Sequence, residues 1–600
     1  MSSPTTGSKT ESSDARVSKP AANHETTTDK TNAASQPADG IPGFATTERE
    51  MIARVDQVAK RRYEYHRTRS QKPDTYRFTK NFGFQNDPPQ IDPKVLYHSL
   101  AGLEKLVRDS EKAVPVDNEL LFELRAGIKF VYEDFSETFA SLKNLLPHNQ
   151  INFECLWTLY PPNSIVWSAD DLGHTRAWKV ASTTMAKDEH GIPWLVLSVD
   201  YIDYDGEGVG WVKGHMLKLP WFDGVRTIWK LNYIPLDTGP DPARIKKLLL
   251  NNGKEAIKRH GRGLVEYQGS ALTQHRNDWI KFHSHGRVML DPETWSRTQP
   301  QSNPIPSISH ISQKSLLEDD EKLMVVNSLV YGYSMGDQIW GQFSVSQMRD
   351  PEWNDDAFEA LVLEEDLKHF VRDLVSEHKA GNSEAFDDVI RDKGKGLVGL
   401  LNGPPGVGKT LTAEAVAEIT RRPLYVISSG QLGHSPTDIH KELKSILELA
   451  EHWDAVVLLD EADVFMAARS DLDLSRNATV SIFLRELEYY QGIIILTTNR
   501  ATSIDAAFQS RVHFTIQYPE LDEEGRNTIW KNFMSIASKN KKLRMDIDEA
   551  GIQSLSRMAL NGRQIKNAMS VAQAVALKRD EPLTVNKVCT AIKLSQQSSF

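Results

Sequence analysis

Six hundred residues with 40% apolar content are enough for several packed cores, and the length predicts roughly three or four domains. The net charge of −10 argues against a general nucleic-acid binder, which is ordinarily basic, so nucleic acid is not an expected partner. Cys155 and Cys589, the two cysteines, make neither a disulfide framework nor a zinc cluster and suit a reducing compartment.

The first 45 residues are rich in Ser, Thr, Ala and Lys and poor in aromatics, which predicts a disordered tail with no secretory signal. No uncharged apolar run reaches the roughly 18 residues of a membrane span. The expectation is therefore a soluble, intracellular chain, cytoplasmic or nuclear. Residues 46–150 read as a helical region. Within it, Lys60-Arg61-Arg62-Tyr63-Glu64-Tyr65-His66-Arg67 reads first as a solvated helix face, with a nucleic-acid contact or nuclear import signal as the alternative. Leu120-Leu121-Phe122-Glu123-Leu124 and Ile128-Lys129-Phe130-Val131-Tyr132 recur near helical spacing.

Residues 151–345 read as β-rich. Leu156-Trp157-Thr158-Leu159-Tyr160, the run from Ala177 through Thr183, and Trp194-Leu195-Val196-Leu197-Ser198-Val199-Asp200-Tyr201 are aromatic and β-branched, with Pro, Gly and Asp between them. The tryptophans are expected in the core rather than around a ligand. Residues 241–262 predict one more helix, the stretch from Gly286 to Asp291 a late strand, and residues 299–306 a loop. Residues 346–394 read as a charged helical connector.

The most specific signal starts at residue 403. Gly403-Pro404-Pro405-Gly406-Val407-Gly408-Lys409-Thr410 follows a short apolar strand and precedes a helix that starts at Leu411. Glycines in this spacing let successive N–H groups face one anion. Lys409 would reach the β- and γ-phosphates, and Thr410 would ligate Mg²⁺. Ala455-Val456-Val457-Leu458-Leu459 then predicts a buried strand ending in Asp460 and Glu461. Carboxylates at that edge suit a Mg²⁺ shell (Asp460) and a general base for water (Glu461). A second apolar strand ends in Thr497-Thr498-Asn499, which places Asn499 to orient water or touch the γ-phosphate, with Thr498 as a possible helper. Arg511 suits a finger reaching a neighbouring subunit's site, and Arg563 a γ-phosphate contact from a C-terminal helical segment.

These motifs, in this order, resemble the AAA+ family over residues 395–600. The resemblance implies an α/β fold: a five-strand parallel P-loop core over residues 395–518 and a helical lid over residues 519–600, preceded by a mixed α+β region. It also implies ATP and Mg²⁺ as ligands, ATP hydrolysis, a site shared between subunits of a homo-oligomeric, usually hexameric, ring, and a protein substrate that the sequence does not identify. A nucleotide-gated scaffold with little turnover is the alternative. The region 150–345 resembles, in patches, the uncharacterised N-terminal part of a group of fungal AAA ATPases. Two departures stand out. No arginine lies three residues before Arg511, and Gly433-His434-Ser435-Pro436 lacks the aromatic that substrate-threading rings carry there.

Overall fold

The computed structural model describes residues 92–113, 116–239, 241–276, 278–298, 308–379, 396–433, 435–466, 474–499 and 504–597. The expected disordered tail, the Lys60 cluster, the loop at 299–306 and His434 lie outside them. Two compact units result, one ending at Asp134 and one beginning at Phe135. The first contains helices α1 (Pro93–His98), α2 (Leu100–Ser110) and α3 (Asn118–Asp134). Asp92 caps α1, and Leu121, Leu124 and Val131 form the buried stripe of α3, matching the helical spacing read in the sequence.

The second unit begins with α4 (Ser136–Leu145) and then builds two antiparallel sheets. One contains β1 (Ile165–Ala169), β2 (Thr175–Lys187), β3 (Pro193–Tyr204), β4 (Val209–Pro220) and β5 (Ile234–Pro235). Helix α5 (Pro242–Lys258) follows, capped by the Asp241 carboxylate. The second sheet contains the hairpin β6 (Gly263–His275) and β7 (Asp278–Leu290). A short strand, β8 (Ser309–His310), returns to the first sheet beside β4. Strands β9 (Leu329–Ser334), β10 (Ile339–Ser344) and β11 (Met348–Arg349) complete the second. Ala177, Ile202, Val265, Tyr267, Val288 and Phe343 fill the core between the sheets, and α5 adds Leu249, Ala256 and Ile257. Gly253 of α5 is required there, because a Cβ would lie 2.1 Å from the Leu323 carbonyl oxygen.

One sequence expectation fails in this region. Leu156–Leu159 is a 3₁₀ turn, not a strand. The N–H groups of Leu156, Thr158 and Tyr160 donate locally to the carbonyls of Phe153, Cys155 and Trp157. The Thr158 hydroxyl also donates to the Cys155 carbonyl (2.7 Å), and Pro161 and Pro162, which follow at once, have no N–H to extend a ladder. Trp157, Trp178 and Trp295 are buried, as the core reading expected, whereas Trp221 and Trp229 are exposed and depart from it. Cys155 and Cys589 are free thiols, the first buried and the second half-buried.

Just after α5, His260 stacks on Tyr204 with ring centroids 5.0 Å apart. Burial lowers its pKa to about 4. In the unfolded chain the ring charges below about 6.5, whereas in the fold it stays neutral until about pH 4. The stabilisation is therefore intact above pH 6.5 and drains away as the pH falls toward 4, by up to about 3 kcal/mol. Thermal melts between pH 7 and 4.5 should show His260→Phe losing less stability on acidification than the native chain. Parallel profiles would remove His260 as a source of acid sensitivity.

In the stretch read as a connector, β11 pairs with β6 and helix α6 spans Glu365–Lys379. Five parallel strands then form the sheet the sequence implied. They are β12 (Leu397–Asn402), β13 (Leu424–Ile427), β14 (Val456–Leu459), β15 (Ile493–Thr498) and β16 (Phe514–Gln517), in spatial order β13-β14-β15-β12-β16. Every residue of β12, β14 and β15 is buried, which explains their unbroken apolar runs. Helices α7 (Lys409–Thr420), α8 (Pro436–His452) and α9 (Leu474–Tyr489) flank the sheet. The C-terminal helices α10 (Glu523–Ser538), α11 (Glu549–Ser556), α12 (Gly562–Arg579) and α13 (Val585–Gln597) close around Trp530, Ile565, Met569 and Val588. Among the described residues, no helix is long and apolar enough to cross a membrane.

Candidate functional site

The loop between β12 and α7 takes its shape from glycine. Gly406 has φ 79° and Gly408, the residue before α7, has φ 111°, a region that side chains avoid. Val407 between them is core, 7% exposed, so its backbone is what it offers a ligand. Pro404 and Thr410 are half-buried, Pro405 is exposed, and Leu411 presents an exposed apolar side chain on the first turn of α7. Lys409 is buried and its Nζ donates to the carbonyls of Gly403 (2.7 Å) and Pro404 (2.8 Å) and to Asn499 Oδ1 (2.7 Å). Burial pulls its pKa below the usual lysine value, while Asp460, Asp463 and Glu461 oppose that and Arg563 adds to it. The ammonium group thus lies at the carboxyl edge of the parallel sheet, where open α/β folds bind ligands, within the electrostatic reach of these charges.

The acidic wall is held by hydrogen bonds across strands. The Asp460 N–H donates to the Ile427 carbonyl of β13 (3.3 Å), and the Thr497 hydroxyl of β15 donates to Asp460 Oδ1. Glu461 sits at φ 54°, an unusual conformation for a residue with a side chain, and its N–H donates to Thr497 Oγ1 (3.1 Å). Its side chain is exposed. Thr498 is engaged elsewhere: its hydroxyl donates to Asp463 Oδ1. Thr497 and Asp463 are site residues that the sequence reading missed. The available signal was the strand-end pair of threonines facing a four-residue Asp-Glu-Ala-Asp run.

The C-terminal helices meet the loop directly. At the start of α12, Asn561 and Gln564 form a capping box, and the Gly562 N–H donates to the Gly406 carbonyl (2.8 Å). A Cβ on Gly562 would lie 2.8 Å from that carbonyl oxygen, so only glycine permits this approach. Arg563, next in line, is exposed, and its charge helps to lower the Lys409 pKa. Arg511 is not part of this cluster. It follows a short helix capped by Asp505, donates to the Ala507 carbonyl (3.0 Å) and pairs with Glu488 of α9 (3.1 Å).

The donors fit a nucleoside triphosphate with a hard divalent cation. Two left-handed glycines and a helix start aim N–H groups at an anion, and a buried lysine neutralises it. Among the described residues, no group of three or more His, Cys, Asp or Glu makes a metal site. Oxygen ligation by Thr410, phosphate and water, with Asp460 behind the water, is the arrangement these residues allow for Mg²⁺.

Comparison with known proteins adds two family matches. Residues 399–520 match the ATPase family associated with various cellular activities (AAA), and residues 141–240 match a domain of unknown function (DUF7025). The chain is similar to proteasome-activating nucleotidase 1 of Haloferax volcanii, 28% identical over 276 residues, which is 44% of this chain and 66% of that protein. It is also similar to the 26S proteasome regulatory subunit 8 homolog of Encephalitozoon cuniculi, 28% identical over 228 residues, 36% of this chain and 56% of that protein. Against the ATP-dependent zinc metalloprotease FtsH of Oenococcus oeni the identity is 26% over 253 residues, 40% of this chain and 34% of that protein. The chain thus spans between about a third and two-thirds of these relatives' length. A solved structure of the FIGL-1 AAA domain in complex with ADP matches 39% of this chain and 82% of that chain, at 20% identity and a TM-score of 0.31.

Proposed function

The chain belongs to the AAA+ ATPase family, and we propose that it binds ATP with Mg²⁺ between the 403–410 loop and α12, hydrolyses it, and uses the cycle to remodel a protein or complex recognised by its N-terminal sheets. The observation that carries this reading is the geometry of the 403–410 loop: Gly406 and Gly408 hold positive φ, and the buried Lys409 Nζ is held by the Gly403 and Pro404 carbonyls and by Asn499 Oδ1 (2.7 Å) from the end of β15. A lysine that merely filled core would not have its ammonium group fixed by two loop carbonyls and a strand-end amide at the carboxyl edge of the sheet.

The loop N–H groups and the start of α7 cradle the β-phosphate. Lys409 exchanges the Gly403 and Pro404 carbonyls and Asn499 for phosphate oxygens. Thr410 and, through water, Asp460 would hold Mg²⁺, which would supply charge neutralisation on the phosphates. Glu461 takes a proton from a water molecule whose oxygen forms the new bond to the γ-phosphorus. The bond from that phosphorus to the bridging oxygen breaks, and ADP leaves with the electron pair. Asn499, released from Lys409, orients the water. Arg563 meets the γ-phosphate from α12, so loss of that group removes a contact between the nucleotide and the C-terminal helices.

Arg511 is held by Glu488 away from this cluster, so its role in catalysis requires a second copy of the chain, in a homo-oligomeric ring. Arg511→Ala should bind ATP normally while turnover falls by about 10³-fold. Mixing Arg511→Ala chains with Lys409→Ala chains should restore part of the activity, because mixed interfaces combine an intact loop with an intact arginine. Phosphate release measured on each protein and on the mixture tests this. A wild-type rate in Arg511→Ala, or a mixture as inactive as its parts, rules out the shared site. Absence of Mg²⁺-dependent phosphate release by the native chain would leave the nucleotide-gated scaffold as the reading.

A further inference from the structure

Strand β13 lies at the edge of the parallel sheet, where unpaired peptide groups require cover. The cover comes from the N-terminal sheets. Tyr333 of β9 stacks on Tyr425 of β13 (ring centroids 5.7 Å), with the two hydroxyls 3.1 Å apart. Trp453, just after α8, packs on Tyr333 (5.4 Å) and donates its Nε1 proton to the buried Asp291 carboxylate (2.7 Å). Beyond Tyr333, the turn between β9 and β10 delivers Gln338, whose Nε2 donates to the Val426 carbonyl of β13 (2.7 Å) and whose Oε1 accepts from Gln431.

That turn is prebuilt. Asp337 Oδ2 accepts from the hydroxyls of Ser284 and Ser334, both at 2.7 Å, and the Gln338 N–H closes onto the Ser334 carbonyl (2.8 Å). Gln338 itself holds φ 58°, a conformation costly for a residue with a side chain unless its surroundings fix it. The neighbouring backbone leads to the acidic wall: Ile427, next after Val426, accepts the Asp460 N–H. On the other side of the loop, Arg287 of β7 lies 4.2 Å over Trp353 and pairs with Glu418 in the last turn of α7 (2.8 Å). The matched DUF7025 span ends at residue 240, so these contacts belong to the second sheet and not to that match.

We propose that Gln338 is a positioning residue for ATP hydrolysis, acting through Val426 and Ile427 on Asp460, so that the second N-terminal sheet is part of the ATPase machinery and whatever binds the N-terminal sheets is sensed at the acidic wall. The proposal rests on the ATPase reading above. Gln338→Glu tests it in the full chain, because the shape and the Gln431 contact persist while the donor to Val426 becomes a repelling carboxylate. Loss of one such hydrogen bond at the wall should lower kcat about fivefold and raise the Mg²⁺ concentration for half-maximal activity by a similar factor. The KM for ATP should stay at the wild-type value, and the melting temperature should fall by no more than about 2–4 °C, the cost of one hydrogen bond. Hydrogen exchange at the Asp460 amide should accelerate in the same variant without nucleotide. Wild-type kcat, Mg²⁺ dependence and Asp460 exchange in Gln338→Glu would overturn the proposal, as would a larger fall in melting temperature with kcat and KM moving together. If the native chain hydrolyses nothing, the ATPase reading fails by itself; faster Asp460 exchange then still supports the positioning link, and unchanged exchange overturns it.

Discussion

Glu461→Gln should bind ATP at least as tightly as the native chain and release phosphate on the order of 10²–10⁴ times more slowly, the range by which a positioned general base accelerates a reaction. The substitution is nearly isosteric and leaves the backbone contact from the Glu461 N–H to Thr497 Oγ1 in place. Gln occupies the left-handed conformation at φ 54° on the same terms as Glu, so the turn keeps its shape. What changes is proton affinity, since an amide oxygen cannot take a proton from water at neutral pH. Removing one negative charge from a wall that also holds Asp460 and Asp463 relieves repulsion against the γ-phosphate, which is why affinity should rise. Phosphate release under saturating ATP, beside equilibrium binding of a fluorescent ATP analogue, separates the two effects. A rate within about threefold of the native chain would take the base role away from Glu461, since that gap is under 1 kcal/mol. Under the proposed remodelling function, the stalled variant should also retain a bound protein, which affinity purification would identify.

The parts of this site that lie close together in sequence were legible before the structure. The glycines of the 403–410 loop, Lys409 and the strand-end carboxylates follow from local backbone demands, and a buried parallel strand announces itself as an unbroken apolar run. The links between distant segments were not legible. Nothing in Thr497 says that it will bridge Asp460 and Glu461, because that requires the register of β14 against β15. Asp291 and Trp453 are 162 residues apart, and their buried hydrogen bond exists only because the second N-terminal sheet packs on the parallel one. The run at Leu156 misled for the opposite reason. Its composition is strand-like, yet Pro161 and Pro162 and a side-chain hydrogen bond of Thr158 decide the local geometry. Glu461 shows a limit of a third kind: a non-glycine residue at positive φ has no sequence signature, and the side chain carried by this strained backbone is exposed.

Lys409→Ala should abolish nucleotide binding while leaving the fold standing, and the two halves of that statement have different causes. In the structure the ammonium group is buried among two carbonyls and the Asn499 side chain, with three carboxylates acting on it. Each charge-assisted hydrogen bond to a phosphate contributes about 1.5–3 kcal/mol, so losing two should weaken binding by roughly 10²–10⁴-fold. Repulsion among the wall carboxylates and the γ-phosphate, no longer offset, acts in the same direction. The fold tolerates the change because the site lies at the edge of the sheet and the apolar core beneath it is untouched: Val416, Leu401 and Val456 remain packed. Thermal shift measures both halves together. The native chain should melt higher as Mg²⁺–ATP rises, by the free energy of binding to the folded state alone, about 2.7 kcal/mol at a hundredfold excess over Kd. Lys409→Ala should melt close to the native chain without nucleotide and fail to rise with it. A ligand-dependent rise equal to the native one would show that the phosphates sit elsewhere and that the buried lysine serves only the acidic wall. Glu461→Gln supplies the matching control, since it should show a full nucleotide-dependent rise with almost no turnover, which separates loss of binding from loss of chemistry at one site.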